Sequence, residues 1–209
     1  MDKLRFIAIS GTIDVTENLY VYEYVPEKGP AELIVLDCGV GFPEEAAFGV
    51  DLVVPDFSYL VKNSEKIKGV FISHAHEDHF GALPFLLDQL PDVSIYSAKL
   101  VAGFIEDKLT DYGIRGKKVN IIDPEGPPTT VGSFIVDAFR ITHSVPDSLG
   151  FCISTPIGRF FHVPDYKFDW TPVDGKPVYI EVLFASRLIK DINKSLPNEL
   201  RKEILTASV

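Results

Sequence analysis

The sequence predicts an α+β fold in which sheets are covered by helices. Two observations favour this class. Short segments rich in β-branched and aromatic residues occur along most of the chain, and segments with apolar residues at helical spacing follow pairs of them. The composition is that of an ordinary globular protein, with 46% hydrophobic and 24% charged residues. A length of 209 residues predicts a single domain over residues 1–209.

The predicted strands are joined by turns that Gly and Pro mark. PEKGP separates the second and third strands as a hairpin turn, and Pro156-Ile157-Gly158 turns another hairpin. Segment 41–61, with Pro43 and Pro55, is expected to be irregular. The predicted strands cover residues 4–9, 18–25, 31–39, 67–73, 94–98, 117–123, 133–142, 149–155, 159–163 and 177–184.

Two helices are predicted between these strands. The first covers about residues 79–90 and ends at Pro91, and the second covers 99–113 and stops at Gly113. Two further helices of mixed polarity are expected after residue 184. The pattern therefore places a helix after each of several strands, which fits sheets with a helical cover.

The charge balance limits the function classes. The chain carries 30 Asp and Glu against 20 Lys and Arg, for a net charge of −10. This argues against a protein that wraps nucleic acid with its whole surface, although a small local groove stays open. No apolar stretch reaches about 18 residues, and the N-terminus does not resemble a signal peptide, so we expect a cytoplasmic protein without a membrane partner.

The two cysteines do not indicate chemistry. Cys38 and Cys152 both lie in apolar runs, LIVLDCG and LGFCIST. Two isolated cysteines do not form a disulfide framework. We therefore expect buried free thiols that pack as small core residues.

The strongest functional signal is a cluster of histidines after a predicted strand. Three of the five histidines of the chain fall within six positions, in His74-Ala75-His76-Glu77-Asp78-His79. Imidazole and carboxylate are ligands that Zn²⁺ and similar ions take. A turn at the end of a strand lets His74 and His76 face one point while Asp78 and His79 face a second point nearby. A metal site is therefore predicted, in preference to a solvated histidine run.

Two further residues are expected to complete the site. His143 directly follows the predicted strand 133–142, and Asp165 follows the predicted strand 159–163. Each alone is typical of an ordinary strand end. Beside the first cluster, His143 becomes a candidate ligand and Asp165 a candidate bridge, because the two oxygens of a carboxylate can hold two cations.

Five segments in order resemble motifs of the metallo-β-lactamase superfamily, and within it the chain most resembles the ribonuclease J family. The superfamily signature is H-x-H-x-D-H followed by a lone His and a lone Asp. The five segments are LIVLDCGVGFPEE, GVDLVVPDFSYL, HAHEDHFGALPFLL, ITHSVPDSLGF and DYKFDWTPVDG. The resemblance covers roughly residues 18–177 and implies an αββα sandwich, with 178–209 as a divergent C-terminal tail.

The resemblance also implies a ligand set for two metal ions. One ion would be held by His74, His76 and His143, and the other by Asp78 and His79, with Asp165 between them. The expected metal is zinc, with manganese or iron as alternatives.

Catalytic roles follow from the same resemblance, which implies hydrolysis of RNA by metal-activated water. Asp78, His143 and Asp165 would be the catalytic residues, with Asp78 accepting the proton of the attacking water. Asp37 would orient the histidine loop through hydrogen bonds. Ser144 and Asp147 would lie near the scissile phosphate.

The chain departs from the ribonuclease J pattern in its second half. The family carries a nucleic-acid-clamping β-CASP insertion and a last histidine ligand for the second metal, whereas no histidine follows His162 here. His162 itself either replaces that ligand or points into the core. We expect an incomplete sandwich whose apolar edges are covered in a homodimer. Val163-Pro164 stands where Thr-Gly is usual, which is expected to reshape the Asp165 loop.

Three functions stay open at this point. The first is an RNA nuclease like ribonuclease J, which the motifs favour. The second is a small-molecule hydrolase acting on β-lactams, thioesters or lactones, which a site without a clamp would suit. The third is a non-catalytic metal-binding remnant, because ancestry is not activity.

Overall fold

The computed structural model describes residues 1–13, 15–43, 48–173 and 175. Met1–Lys167 forms one compact unit, and a second unit is assigned to Phe168–Val209. In the second unit, the described residues include a local turn in which the Thr171 amide donates to the Asp169 carboxylate at 3.0 Å. The predicted strand 177–184 and the helices expected after it lie outside the described residues, and the single-domain organisation stays a prediction.

The first sheet has the strand order β1-β2-β3-β4-β5-β6. The first three strands are antiparallel to one another, and the last three continue the sheet in parallel. The apolar runs predicted the strands, and the turn PEKGP separates β2 from β3 as expected. The strands are Lys3–Ser10 (β1), Leu19–Val25 (β2), Glu32–Leu36 (β3), Ile67–Phe71 (β4), Ile95–Ser97 (β5) and Val119–Ile121 (β6).

The second sheet is antiparallel throughout, in the order β10-β9-β8-β7. The predicted hairpin is confirmed, since Gly158 pairs with Thr155 across the two residues Pro156 and Ile157. The loop after β6 leads to a three-residue strand that the sequence did not predict, because its run Thr-Thr-Val has one apolar residue and directly follows the Pro/Gly loop PEGPP. The strands are Thr129–Val131 (β7), Phe134–Arg140 (β8), Leu149–Thr155 (β9) and Gly158–His162 (β10).

The predicted helix 79–90 is two helices. Pro84 lies in the first turn of the second helix, where its missing N–H costs nothing, and so it marks a new start. Segment 41–61, expected to be irregular, contains a short helix at its end. The helices are Ser58–Lys62 (α1), Glu77–Phe80 (α2), Leu83–Gln89 (α3) and Lys99–Asp111 (α4). The last one ends before Gly113, whose φ of 79° closes it as expected.

The two sheets pack face to face around one apolar core. The rings of Phe71 on β4 and Phe151 on β9 meet edge to face at 6.0 Å, and both side chains are fully buried. The outer side of the first sheet is covered by α4, which packs on β5 and β6. This is the helix–sheet–sheet arrangement of the predicted sandwich. Within the described residues, every helix is too short or too polar to cross a lipid bilayer.

The same end of both sheets carries the predicted site residues. The segment after β4 holds the histidine cluster, and the segments after β8 and β10 hold His143 and Asp165. The Leu149 amide at the start of β9 donates to the Ser73 carbonyl at 2.9 Å, which joins the sheets at this end. The fold therefore brings three distant stretches of chain to one place.

Two glycine substitutions test this packing. A Cβ on Gly39 would overlap the backbone of Asp78, whereas a Cβ on Gly103 in α4 meets nothing. We expect Gly39→Ala to lower the free energy of unfolding by about 1–3 kcal/mol through overpacking. The matched Gly103→Ala should raise it by about 0.5–1 kcal/mol through helix propensity. Chemical denaturation measures both, and a Gly39→Ala variant as stable as wild type would contradict the observed close approach.

Candidate metal centre

The histidine cluster is supported by the buried end of β4. Ser73 and His74 are fully buried, and His76 has extended backbone dihedrals of −96° and 144° immediately before α2. This extended residue separates the side chains of the strand end from those of α2. His79, one turn into that helix, is also buried. The local geometry therefore brings the three histidines of this turn close together, and their role as metal ligands stays a prediction.

Three imidazoles converge on one point. The His74 Nε2 and His143 Nε2 atoms each lie 3.1 Å from the His76 Nδ1 atom. The three ring centroids are 4.8 Å apart in every pair, with the rings nearly perpendicular. Such a set of nitrogens suits a single divalent cation. The structure thus groups the same three histidines that the resemblance assigns to the first metal.

A second group lies beside the first. It combines His74, His79 and Asp165, whose donor atoms all lie within 4.8 Å of one another. The Asp165 Oδ2 atom is 3.7 Å from His79 Nε2 and 3.9 Å from His143 Nε2, so this carboxylate lies between the two groups. Asp78 is outside both groups, although its Oδ2 atom is 3.6 Å from His79 Nε2. Its place in the expected ligand set stays a prediction.

Behind these histidines lies the carboxylate of Asp37. It is fully buried directly after β3, in a left-handed backbone conformation with a φ of 59°. Its Oδ1 atom accepts the Ser73 amide at 2.8 Å, and its Oδ2 atom accepts the Ser73 hydroxyl at 2.9 Å. The His79 Nδ1 atom lies 2.8 Å from the same Oδ2 atom. The alternative, an ordinary turn aspartate, does not explain these buried contacts.

These contacts fix which nitrogen of each ring faces the site. A serine hydroxyl has one proton, and Ser73 gives it to Asp37. The Ser73 Oγ atom, 2.9 Å from His74 Nδ1, must then accept from that nitrogen. His79 likewise directs Nδ1 to Asp37. Both rings are left with Nε2 toward the site, which is how hydrogen-bonded partners orient metal-binding histidines.

The electrostatics separate the two buried rings. Burial, together with the positive charge of His79, lowers the pKa of His74 to about 3, so its imidazole is neutral. Burial also opposes charge on His79, but the Asp37 carboxylate and Asp165 outweigh it and raise the pKa of His79 to about 10. The hydrogen bond from His79 in turn lowers the pKa of Asp165. The carboxylates around His79 therefore favour a positive charge there, whether a proton or a metal ion.

The second sheet holds its part of the site through backbone contacts. The Lys167 amide donates to the Thr142 carbonyl at 2.8 Å, and the Thr142 hydroxyl donates to the Lys167 carbonyl at 2.5 Å. These bonds join the segment before His143 to the segment after Asp165. The two loops are therefore fixed relative to each other. The second loop contains Val163-Pro164, where the ribonuclease J pattern has Thr-Gly.

The two residues expected near a scissile phosphate differ in their surroundings. Ser144 is exposed, and its Oγ atom lies 3.2 Å from His76 Nε2, at the open side of the site. Asp147 instead accepts the Leu100 amide at 3.1 Å, in the first turn of α4. Its carboxylate thus stabilises a helix start. The expected place of both residues near a scissile phosphate stays a prediction, and Asp147 has this structural contact in addition.

His162 belongs to the interior between the sheets. Its Nδ1 atom is 3.5 Å from the Tyr22 hydroxyl, and its ring lies 5.5 Å from that of Tyr20. Among the described residues, its buried Nε2 atom has no hydrogen-bond partner, and His162 is in neither group of donor atoms. The geometry favours the core over the role of a replacement ligand.

Sequence reasoning missed Asn18, which contacts the site from the start of β2. Its Nδ2 atom lies 3.2 Å from His79 Nε2 and 3.4 Å from Asp78 Oδ2. An asparagine before a strand is typical of a turn, so the residue pattern does not indicate this contact. The one sequence feature consistent with this contact is the position of Asn18 before an apolar run of the first sheet.

The donor set fits a divalent cation. It offers neutral imidazole nitrogens and carboxylate oxygens, the types that zinc and related ions take. The nitrogens are already oriented by hydrogen bonds on their far side. The described residues therefore fit the metal that the motif predicts, and the groups His74, His76, His143 and His74, His79, Asp165 could each hold an ion.

Replacing the buried carboxylate tests this orientation. In Asp37→Asn, an amide nitrogen, which donates hydrogen bonds, replaces one carboxylate oxygen, which accepts them. Ser73 and His79 now donate to this carboxylate, so the two contacts cannot both be kept. We expect metal affinity to fall by about 10–100-fold, measured by calorimetric titration of the metal-free chain. Asp123→Asn, at an exposed turn, should leave it unchanged. An unchanged affinity in Asp37→Asn would mean that the ligands keep their geometry without this carboxylate.

Known proteins share this site-bearing region. A ribonuclease J of Thermus thermophilus is 40% identical over 181 residues, covering 84% of this chain and 31% of that protein. A ribonuclease J of Helicobacter pylori is 38% identical over 175 residues, covering 83% of this chain and 24% of that protein. The chain thus spans a third or less of these relatives, within which the similarity is substantial.

The fold comparison and a family model agree. A protein of unknown function from Enterococcus faecalis superposes with a TM-score of 0.59, covering 79% of this chain and 44% of that one, at 18% identity, which shows a shared fold. The model of the metallo-β-lactamase superfamily matches residues 14–187 and so includes every candidate ligand. The chain belongs to the metallo-β-lactamase superfamily.

Proposed function

We propose that the chain is a metal-dependent hydrolase that cleaves phosphodiester bonds of RNA in the manner of ribonuclease J. The observation that carries this is the convergence of the two donor groups at one end of the sheets, in a chain similar to ribonuclease J over most of its length. The relatives indicate RNA as the substrate class, and the geometry of the donor groups indicates metal-dependent hydrolysis.

The proposed ligands keep the first group and depart from the second, because the one free nitrogen of His74 serves the first ion and Asp78 takes its place. His74, His76 and His143 would hold the first metal ion, and His79 with Asp78 would hold the second. Asp165 would join them, since it lies between His79 and His143. We propose zinc, because three imidazoles form the first group, with manganese or iron as the alternatives.

The metal ions, Asp78 and Ser144 have separate tasks in the proposed hydrolysis. When bound, the metal ions would activate a water molecule and neutralise charge that develops on the phosphate. Asp78 would accept the proton of the attacking water at its carboxylate. Ser144, exposed next to His76, would donate a hydrogen bond to a phosphate oxygen.

The exposure of the site agrees with a polymeric substrate. The Asp165 side chain is 53% exposed and that of His143 is 17% exposed, whereas the His79 side chain is 2% exposed. The site is therefore closed at its base and open on the side of the second sheet. The net charge of −10 means that contact with RNA would be local, at this open side.

A side-by-side assay tests the activity. We expect the zinc-loaded chain to hydrolyse 5′-phosphorylated single-stranded RNA faster than nitrocefin, thioesters or lactones. His76→Ala removes the nitrogen on which the first group converges and should abolish RNA hydrolysis and lower the measured metal content. Turnover only of the small molecules would favour the small-molecule hydrolase. Less than one metal per chain and no turnover would favour a non-catalytic remnant.

Asp78 has its own variant in the same assay. Asp78→Asn keeps the shape of the side chain and removes its basicity, so RNA turnover should fall by about 10²–10⁴-fold if it accepts a proton. Full activity with full metal content would exclude that role.

We also propose a homodimer. Among the described residues, strand β10 forms one end of the second sheet and β1 one end of the first, and Phe6 on β1 is 57% exposed. Exposed strand edges with apolar side chains favour association. One chain has a mass of 23.2 kDa. Sedimentation velocity at micromolar concentration should give twice that mass. A single monomeric species would contradict the dimer.

A further inference from the structure

The carbonyl of Asp78 receives two hydrogen bonds from one residue. The Asn18 amide N–H donates to it at 3.0 Å, and the Asn18 side-chain Nδ2 atom donates to it at 3.0 Å as well. The Asn18 carbonyl in turn accepts the Gly39 amide at 3.0 Å. Asn18 is buried, with 7% of its surface exposed. This residue therefore connects the segment after β3 to the turn that carries Asp78 and His79.

The orientation of the Asn18 amide is set by its neighbours. The atom that faces the carbonyls of Asp78 and Val15, at 3.0 and 3.3 Å, must be the nitrogen, because carbonyls only accept. The oxygen then faces the Tyr20 hydroxyl at 2.8 Å, whose one proton is shared between this oxygen and the Gly11 carbonyl at 3.0 Å. The amide is held at both ends and does not need a metal ion to fix it.

The held amide lies against the second donor group. Its Nδ2 atom is 3.2 Å from His79 Nε2 and 3.4 Å from Asp78 Oδ2. Asp37 holds His79 from the opposite end of the ring, at Nδ1. The imidazole is thus confined between two buried polar groups. The first donor group has no such neighbour among the described contacts of Asn18, which go to Val15, Tyr20, Gly39, Asp78 and His79.

We propose that Asn18 is a positioning residue for the second metal ion, holding the Asp78 carbonyl by hydrogen bonds and packing against the His79 ring, so that both side chains face the second position. Tyr20 supports it by fixing the amide oxygen. The inference rests on the proposed function, since it presupposes that the centre holds two ions. It adds that the affinities for the two metal ions are controlled separately, and that Asn18 controls the affinity for the second ion.

Asn18→Ala removes the side-chain donor and leaves the backbone bond to Asp78 in place. We expect the dissociation constant of the second metal to rise about 10–100-fold, the effect typical of lost orienting contacts, while that of the first changes less than about 3-fold. Calorimetric titration of the metal-free chain with zinc measures both. Tyr20→Phe leaves Asn18 in place and removes the hydroxyl that contacts it and the Gly11 carbonyl, so it should raise the second dissociation constant by a smaller factor.

Asn120 provides the matched control. Its side-chain amide also donates to a backbone carbonyl, that of Ile95, at 3.0 Å, but it lies on β6. Asn120→Ala should leave both metal affinities unchanged. If Asn18→Ala weakens both ions equally, or neither, the inference is wrong. If the wild-type chain binds no second ion, the two-metal centre of the proposed function fails, and the inference fails with it.

Discussion

The buried carboxylate of Asp37 is the constraint on which the site depends. A fully buried charge is unfavourable unless it is paired and hydrogen-bonded, and here three donors from Ser73 and His79 meet it. Those donors come from the stretch after β4, so the carboxylate attaches the histidine turn to the end of β3. It also selects the tautomers of two imidazoles. One group therefore sets both the position of the turn and the chemistry that it offers.

A gradient of burial runs across the centre. His74 and His79 lie in the apolar interior, where a neutral ring or a compensated charge is required, and Asp165 lies at the surface. The buried side is rigid because packing and hydrogen bonds determine each rotamer there. The exposed side is where a substrate can approach without disturbing the rest. Such a division suits a centre that must hold ions firmly and still exchange reactants.

The sequence predicted the parts that depend on local pattern. Apolar alternation gave nearly all strands, and the spacing of His74, His76, Asp78 and His79 gave the centre, because ligand type and order are visible in the chain. It missed β7, whose Thr-Thr-Val run has one apolar residue and directly follows a Pro/Gly loop. It also missed the break between α2 and α3, which depends on Pro84 in a helical run. It missed Asn18, because that contact joins residues 60 positions apart and has no pattern of its own.

The donors come from both sheets, since His74, His76 and His79 follow β4 of the first, whereas His143 and Asp165 follow β8 and β10 of the second. Ions bound to them would act as cross-links between two sheets that are otherwise joined by apolar packing and by backbone hydrogen bonds such as that from Leu149 to Ser73. Metal binding would then be worth folding free energy as well as reactivity. Without metal, the chain would first lose the contacts between the two sheets. The sheets, and not the individual strands, would then be the units that separate.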